Sequence, residues 1–467
     1  MSIVLYNTMT RSLEPFTPLI EGTMSMYTCG PTVYNYFHIG NARSFVMSDV
    51  VRRYFAYRGY AVRFVMNITD VDDRIIKQAI DEGIAASEVA GKYTRAFLED
   101  VARLGIQPAT AYPKATDNIE GIVRHVAALV ENGSAYPVDG DVYFRVAAFP
   151  GYGKLSGKKL EDLLAGARVE TDSRKESPGD FALWKAAKAG EPSWDSPWGK
   201  GRPGWHIECS VMSQKHLGDS FDIHAGGNDL IFPHHENEIA QSEALTHMPL
   251  ARYWLHFGFL NIDNEKMSKS LGNYFTARDI LGTYTAETLR FFYLQTQYRS
   301  PLNFSSEGLD AAGRGLQKLQ GLYDALAEDG DGSADFDVAP WEQRFIEAMD
   351  QDLNTPAGFG VLFECLREAN TMLHSDAGMT GASRRALRDF LQRTALGVLG
   401  VLHETQAAPA DGEQFAALMA LMIGVRGKAR ADKQWGISDF IRDGLKDMGI
   451  TIEDGKTGST WKRSDKG

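Results

Sequence analysis

The passage from Met24 to Tyr57 restricts the fold more than any other part of the chain. A β-like run, Met24 to Cys29, is broken by Gly30-Pro31, and a later segment carries Phe45, Val46, Val50, Val51, Tyr54 and Phe55 at helical spacing. The turn into that helix contains His38-Ile39-Gly40-Asn41. A helix start after a strand presents free backbone amides and the positive end of the helix dipole to an approaching anion, with Asn41 as the expected N-cap. Gly40, without a Cβ, lets a flat ligand such as adenine lie against the backbone. His38 supplies a ring donor toward a phosphate oxygen. Taken alone, these four residues also read as an ordinary turn and helix cap.

Far downstream stands Lys266-Met267-Ser268-Lys269-Ser270, within the Gly- and Ser-bounded stretch Asn261 to Asn273. By itself it also reads as a solvated turn. Paired with the upstream segment, it reads as the second half of an ATP site. When a carboxylate attacks the α-phosphorus of ATP and pyrophosphate leaves, negative charge grows on oxygens that need fixed donors and cations. Lys266 and Lys269 supply compact point charges on a stretch able to close over the triphosphate. The two segments together resemble the class I aminoacyl-tRNA synthetases. The resemblance implies that ATP, as its Mg2+ complex, is held by His38, Gly40, Asn41, Lys266 and Lys269, with His38 and the two lysines as the catalytic groups. Asn41 stands where many of those enzymes have histidine.

Only three cysteines occur, Cys29, Cys209 and Cys365, too few for a disulfide framework and in keeping with a reducing cytoplasm. Cys209 closes Gly204-Trp205-His206-Ile207-Glu208-Cys209, and Phe232-Pro233-His234-His235-Glu236-Asn237-Glu238 opens another helical run. His234 and Glu238, four apart on a helix, share one face, where they can hold a metal together with thiolates brought from elsewhere in the fold. Two Cys, one His and one Glu make a mixed donor set typical of zinc. Plainer readings stay open: buried cysteines as small core residues, as expected of Cys365, and a helix cap for His234-His235. A zincin protease is excluded, because His235-Glu236 is not completed to His-Glu-x-x-His.

Thr28-Cys29-Gly30-Pro31-Thr32-Val33-Tyr34, His38 to Arg43, Asn67-Ile68-Thr69-Asp70-Val71-Asp72-Asp73, Gly201 to Ser210, Phe232 to Gln241 and Lys266 to Ser270 together resemble the cysteinyl-tRNA synthetase family, nearly end to end. The resemblance implies ATP-dependent activation of L-cysteine to cysteinyl-adenylate and its transfer to the 3′ end of cysteine tRNA. It implies one zinc ion per chain on Cys29, Cys209, His234 and Glu238, with the substrate thiolate as a further ligand. It also implies an amino-acid pocket of Cys29, Thr69, Trp205 and Asp229, the last facing the ammonium, with His224 as an outer partner. Outside it, Trp205 reads as a core aromatic and Asp229 as a turn residue. Ala225 stands where many relatives have glycine. Zinc binds a thiolate strongly and a protonated hydroxyl poorly, so cysteine is told from serine by bond type rather than size. A hydrophobic pocket separates near-isosteres by only about 1–3 kcal/mol, and no editing domain is expected.

A chain of 467 residues is long enough for several domains. The expected order is a doubly wound, Rossmann-type parallel α/β catalytic domain over 1–310, split by an insertion at about 107–198 and ending in a stem-contact region at about 265–310. A helical bundle for tRNA over 311–405 and a small anticodon-binding domain over 406–467 follow. Glu328 to Ala339, acidic and Gly-rich, reads as a linker, and Ala382 to Leu402 as one helix. The net charge of −12 is unexpected for an RNA-binding protein. Arg426, Lys428, Arg430, Lys433, Arg442, Lys446, Lys456, Lys462 and Arg463 nevertheless crowd the C-terminal end, as an RNA contact or as a solvated face. No basic n-region with an apolar core stands at the N-terminus, and the longest apolar stretch, Phe415 to Val425, is too short to span a membrane. A cytoplasmic monomer is expected. Two rivals remain: a cysteine ligase on the same scaffold that serves an amino sugar, against which Asp411 to Gly467 argues, and a non-enzymatic RNA-binding relative, against which the intact lysines and metal ligands argue.

Overall fold

The computed structural model describes residues 2–158, 173–262, 265–266, 274–328, 330–404, 412–455 and 458–463. The chain divides into two compact units, Met1–His403 and Glu404–Gly467.

In the first unit an antiparallel pair, β1 (Val4–Asn7) with β2 (Ser12–Pro15), precedes β3 (Thr23–Thr28), α1 (Ile39–Tyr57) and β4 (Ala61–Met66), which lies parallel to β3. Helix α1 begins earlier than the apolar spacing suggests. Its N-cap is His38 rather than the expected Asn41: the His38 backbone is extended, and its Nδ1 accepts the Asn41 N–H at 3.1 Å. The imidazole reaches the third amide of the helix as a capping oxygen would, which places Asn41 inside the first turn. Helices α2 (Asp73–Glu82) and α3 (Ala86–Arg103) complete this half.

The interruption then folds on its own core. Helix α4 (Ile119–Glu131) is followed by β5 (Ala135–Val138), β6 (Asp141–Phe144), β7 (Phe181–Ala186) and β8 (Gly201–Pro203), an antiparallel sheet in that order. Ile122, Val126, Phe144, Leu183 and Trp184 fill it. The chain returns through α5 (Trp205–Leu217), β9 (Phe221–Gly227), α6 (Glu236–Thr246) and β10 (Ala251–Phe257). The strand order is β10-β9-β3-β4, all parallel, so β3 of the first half pairs with β9 of the second. Alternation along the strands sends Met24, Met26, Phe64 and Leu255 to one apolar cluster and Tyr27, Val65 and Trp254 to another. A parallel sheet covered on both faces leaves its carboxyl edge as the place for a ligand.

His125, on α4, ties the interruption to α6: the ring is buried and its Nε2 lies 3.2 Å from the Gln241 carbonyl oxygen. Burial holds its pKa below the ordinary value. An unfolded imidazole titrates near about 6.5, so the unfolded chain takes up this proton first as pH falls. The buried neutral imidazole therefore contributes its full stability above about pH 6.5 and loses it as pH falls toward the lower folded value. His125→Gln should flatten the acid-side loss of stability, read from urea midpoints; an unchanged slope would remove His125 as its origin.

Beyond β10, β11 (Leu260–Ile262) pairs antiparallel with β12 (Glu265–Lys266) and parallel with β13 (Leu302–Phe304). Between them lie α7 (Ala277–Ile280) and α8 (Ala286–Leu294). The helices α9 (Ser306–Ala325), α10 (Ala339–Asp350), α11 (Thr355–Leu373) and α12 (Gly381–Leu391) follow. The expected single helix to Leu402 instead widens into a π-type turn at Gln392–Val398 and stops where Gly400 adopts φ 65. The expected linker is pinned as well: Asp331 bridges Thr380 and Ala334 bridges Met379. A Cβ on Gly332 would lie 2.3 Å from the Gly378 carbonyl carbon, so glycine here serves close backbone approach rather than flexibility.

The second unit packs α13 (Gly412–Ala431), α14 (Trp435–Asp447) and the hairpin of β14 (Ile450–Gly455) with β15 (Gly458–Arg463) around Met419, Ile441, Leu445 and Ile450. Two of its basic residues are engaged internally: Arg426 grips Asp454 at 2.7 and 3.0 Å, and Arg430 reaches the same carboxylate at 2.6 Å. Among the described residues, no helix is long and apolar enough to cross a membrane.

Candidate active site and metal centre

A cavity of ≈ 350 Å³ opens at the carboxyl ends of β3, β9 and β10. His38, Gly40 and Asn41 line one side, Cys29, Trp205 and Asp229 another, and the turn Phe257 to Asn261 closes it. The chain beyond the lysine-bearing stretch reaches the helix start through the backbone. His38 bridges Thr276, the Ile39 N–H donates to the Phe275 carbonyl at 3.1 Å, and the Ala277 N–H donates to the Phe37 carbonyl at 3.0 Å. Lys266 is placed by its backbone on β12 opposite Asn261. Lys269 lies outside the described residues, as does the side chain of Lys266.

Beneath the cavity, Cys29 from the end of β3, Cys209 from α5, Glu238 from α6 and His234 just before α6 converge, all buried. Cys29 Sγ is 3.9 Å from Cys209 Sγ and 3.5 Å from Glu238 Oε1, and His234 Nε2 is 3.0 Å from Glu238 Oε1. One donor atom from each lies within 4.8 Å of the others. Ligands of a tetrahedral ion at zinc bond lengths are about 3.3–3.8 Å apart, so the spacing and the S, N and O donors fit such an ion. A second set overlaps it, Cys29, His224, His235 and Glu238.

The electrostatics of the cluster favour a negatively charged core. Burial works against the Glu238 carboxylate, but His224 and His234 outweigh it and hold its pKa well below the usual range. Burial likewise opposes charge on His234, yet Glu238 and Cys209 raise it to about 10. The hydrogen bond from the Cys29 thiol draws Cys209 down to about 6, whereas burial and the neighbouring Cys209 push Cys29 up. A cation placed among these groups would replace the protons they share.

Other expected residues divide between wall and support. Asp229 is exposed at the rim, and the Trp205 ring rests on His234 with centroids 4.3 Å apart. His224 sits behind, its Nε2 at 2.9 Å from Glu238 Oε2. Thr69 does not line the cavity: its hydroxyl donates to Glu208 at 2.9 Å. Sequence reasoning missed Glu208, His206, His235 and His256. His206 Nδ1 is 2.9 Å from His234 Nδ1, and His235 reaches Cys29 at 3.4 Å and His256 at 2.8 Å. Glu208 and His206 stand inside a motif already singled out, which was their only signal; His256 had none.

A strand-to-helix turn carrying His38 to Asn41, bridged through its backbone to Phe275 and Thr276 at the carboxyl edge of a split parallel sheet, is the arrangement the resemblance to a class I aminoacyl-tRNA synthetase catalytic domain leads one to expect. The family model described as the tRNA synthetases class I (C) catalytic domain matches residues 15–314, and the DALR domain model matches 344–403. The chain is 49% identical to the Cysteine--tRNA ligase of Heliobacterium modesticaldum, over 99% of this chain and 100% of that one. It is 50% identical to the Cysteine--tRNA ligase of Halalkalibacterium halodurans at the same coverage. It belongs to the cysteine--tRNA ligase family. A Mycobacterium tuberculosis methionyl-tRNA synthetase bound to methionyl-adenylate shares the fold, with TM-score 0.59 at 16% identity over 80% of this chain and 89% of that one.

Proposed function

We propose that the chain activates L-cysteine with ATP to cysteinyl-adenylate and pyrophosphate, then transfers the cysteinyl group to the 3′ end of cysteine tRNA, with zinc selecting the substrate. The convergence of Cys29, Cys209, His234 and Glu238 directly beside the cavity carries this reading. Of the two donor sets, this one holds both sulfurs, and Cys29 faces the cavity. When bound, zinc supplies a soft Lewis-acid site that prefers a thiolate to a hydroxyl.

The chain's own residues do the rest. Asp229 at the rim accepts the ammonium of the amino acid, and Trp205 walls the pocket against His234. His38, Gly40 and Asn41 receive the nucleotide, and Lys266 and Lys269 neutralise the charge that grows as the cysteine carboxylate bonds to the α-phosphorus and pyrophosphate departs. Thr69 acts through Glu208 rather than by touching substrate. The catalytic domain spans about 1–310, the helices over 311–405 meet the tRNA, and the terminal unit reads the anticodon with groups other than the internally paired Arg426.

Pyrophosphate exchange tried with each amino acid should respond to cysteine and not to serine, and cysteine tRNA should then be charged. Exchange with cysteine followed by delivery to an amino sugar instead of tRNA would replace the second half of the reading. No exchange with cysteine would overturn all of it.

A further inference from the structure

Arg43 lies in the second turn of α1 and is fully buried, yet among the described residues no carboxylate pairs with it. Its charge is met by backbone carbonyls from two turns. Nη1 donates to the Gly258 oxygen at 2.8 Å and the Phe259 oxygen at 3.2 Å; Nη2 donates to the Ser300 oxygen at 2.8 Å and the Gln297 oxygen at 3.4 Å. Gly258 and Phe259 join β10 to β11, and residues 297–300 lead into β13, the parallel neighbour of β11. A Cβ on Gly258 would lie 2.4 Å from the Ser300 oxygen, so the two turns meet with no room for a side chain and the guanidinium is the tie between them. Burial of this lone cation pulls its pKa down to about 10, leaving it charged at neutral pH.

The place of this tie matters. Gly258, Phe259 and Asn261 line the cavity opposite His38, Gly40 and Asn41, and Asn261 pairs with Lys266 on β12. We infer that Arg43 is a positioning residue for the activation step: it fixes the turn into β11, the neighbour of the strand that carries Lys266, against the helix start that carries His38 and Asn41. The inference rests on the reading of this cavity as the ATP site. The guanidinium is suited to the task because its planar fork can serve several carbonyls in fixed directions, whereas an ammonium is a single point on a flexible stem. Cys29, Cys209, His234 and Glu238 stand on other elements, so amino-acid selection should not depend on Arg43.

Arg43→Lys and Arg43→Met in the full chain, loaded with zinc, separate these roles. A displacement of about 1 Å between reacting groups lowers a rate by about 100-fold. Both variants should lose about that much kcat in cysteine-dependent pyrophosphate exchange. Metal content, the KM for cysteine and single-turnover transfer from preformed adenylate to tRNA should remain within about twofold of the parent chain. If Arg43→Met does not fold, the charge-retaining Arg43→Lys decides. A folded variant with parental exchange kcat would overturn the inference, as would an equal loss in exchange, cysteine KM and transfer, which would mark Arg43 as a general support of the fold. Absence of exchange in the parent chain would instead remove the ATP reading on which the inference stands.

Discussion

Cys209→Ser should weaken zinc binding by more than about 100-fold and lower cysteine-dependent exchange in step with the metal lost. Loss of an outer partner of a metal ligand already costs about 10–100-fold, and here a donor atom itself is replaced. The serine hydroxyl stays protonated at neutral pH, so the soft anionic donor disappears while the volume hardly changes. The buried surroundings of Cys209 should therefore stay folded. Zinc measured after dialysis against a chelator, beside circular dichroism and exchange rates, reads both halves of the expectation. The substitution also decides between the overlapping donor sets. If the ion sits on Cys29, His224, His235 and Glu238, Cys209→Ser keeps its zinc and His235→Ala loses it. Cys365→Ser is the control: that thiol lies within the apolar core on α11, where burial pushes it up to about 12, and neither zinc nor exchange should change.

The sequence made the chemistry more legible than the scaffolding around it. His38 to Asn41, Cys29, Cys209, His234 and Glu238 could be picked out because each stands in a short run whose residue types are unusual for a core or a loop. The parallel sheet was legible from β3, α1 and β4 in succession. The N-cap was misplaced because an imidazole is an uncommon cap, while asparagine one turn later is a common one. The linker between α9 and α10 falls where the sequence puts it, but its hold on the bundle was not legible: glycines that permit the contact of Gly332 with Gly378 look, in sequence, like glycines that permit motion. Residues such as His256 and Glu208 escape because their role depends on partners far along the chain, His235 and Thr69. A list of charges left the terminal basic residues open as an RNA contact or a solvated face, since it does not show that Asp454 pairs with Arg426 and Arg430.

Asp49→Ala should destabilise the first unit by about 3–5 kcal/mol, the usual cost of leaving one member of a buried ion pair alone. The Asp49 carboxylate is fully buried on α1, accepts from Arg290 Nη2 at 2.9 Å and from the Gln107 N–H at 3.2 Å, and forms an ion pair with Arg53, whose Nε lies 2.7 Å away. Arg290, on α8, donates in turn to the Leu399 oxygen at 3.0 Å and the Leu104 oxygen at 3.2 Å. One carboxylate thus braces α1 against the end of the first half, α8 and the last turn of the helical region. Relief by rearrangement is blocked, because Gly400 packs so tightly that a Cβ there would lie 2.6 Å from Arg290 Nη2. Arg290→Met should cost less, since Asp49 keeps Arg53, and the double variant should cost less than the sum, by a coupling of about 0.5–3 kcal/mol. Urea unfolding of the four chains measures the cycle; Asp49→Ala within about 1 kcal/mol of the parent would sink the idea. Zinc content should not follow this loss in the folded variant, because Asp49 touches none of Cys29, Cys209, His234 and Glu238. Asp49 and Cys209 therefore test separately what holds the fold together and the proposed selection of the substrate.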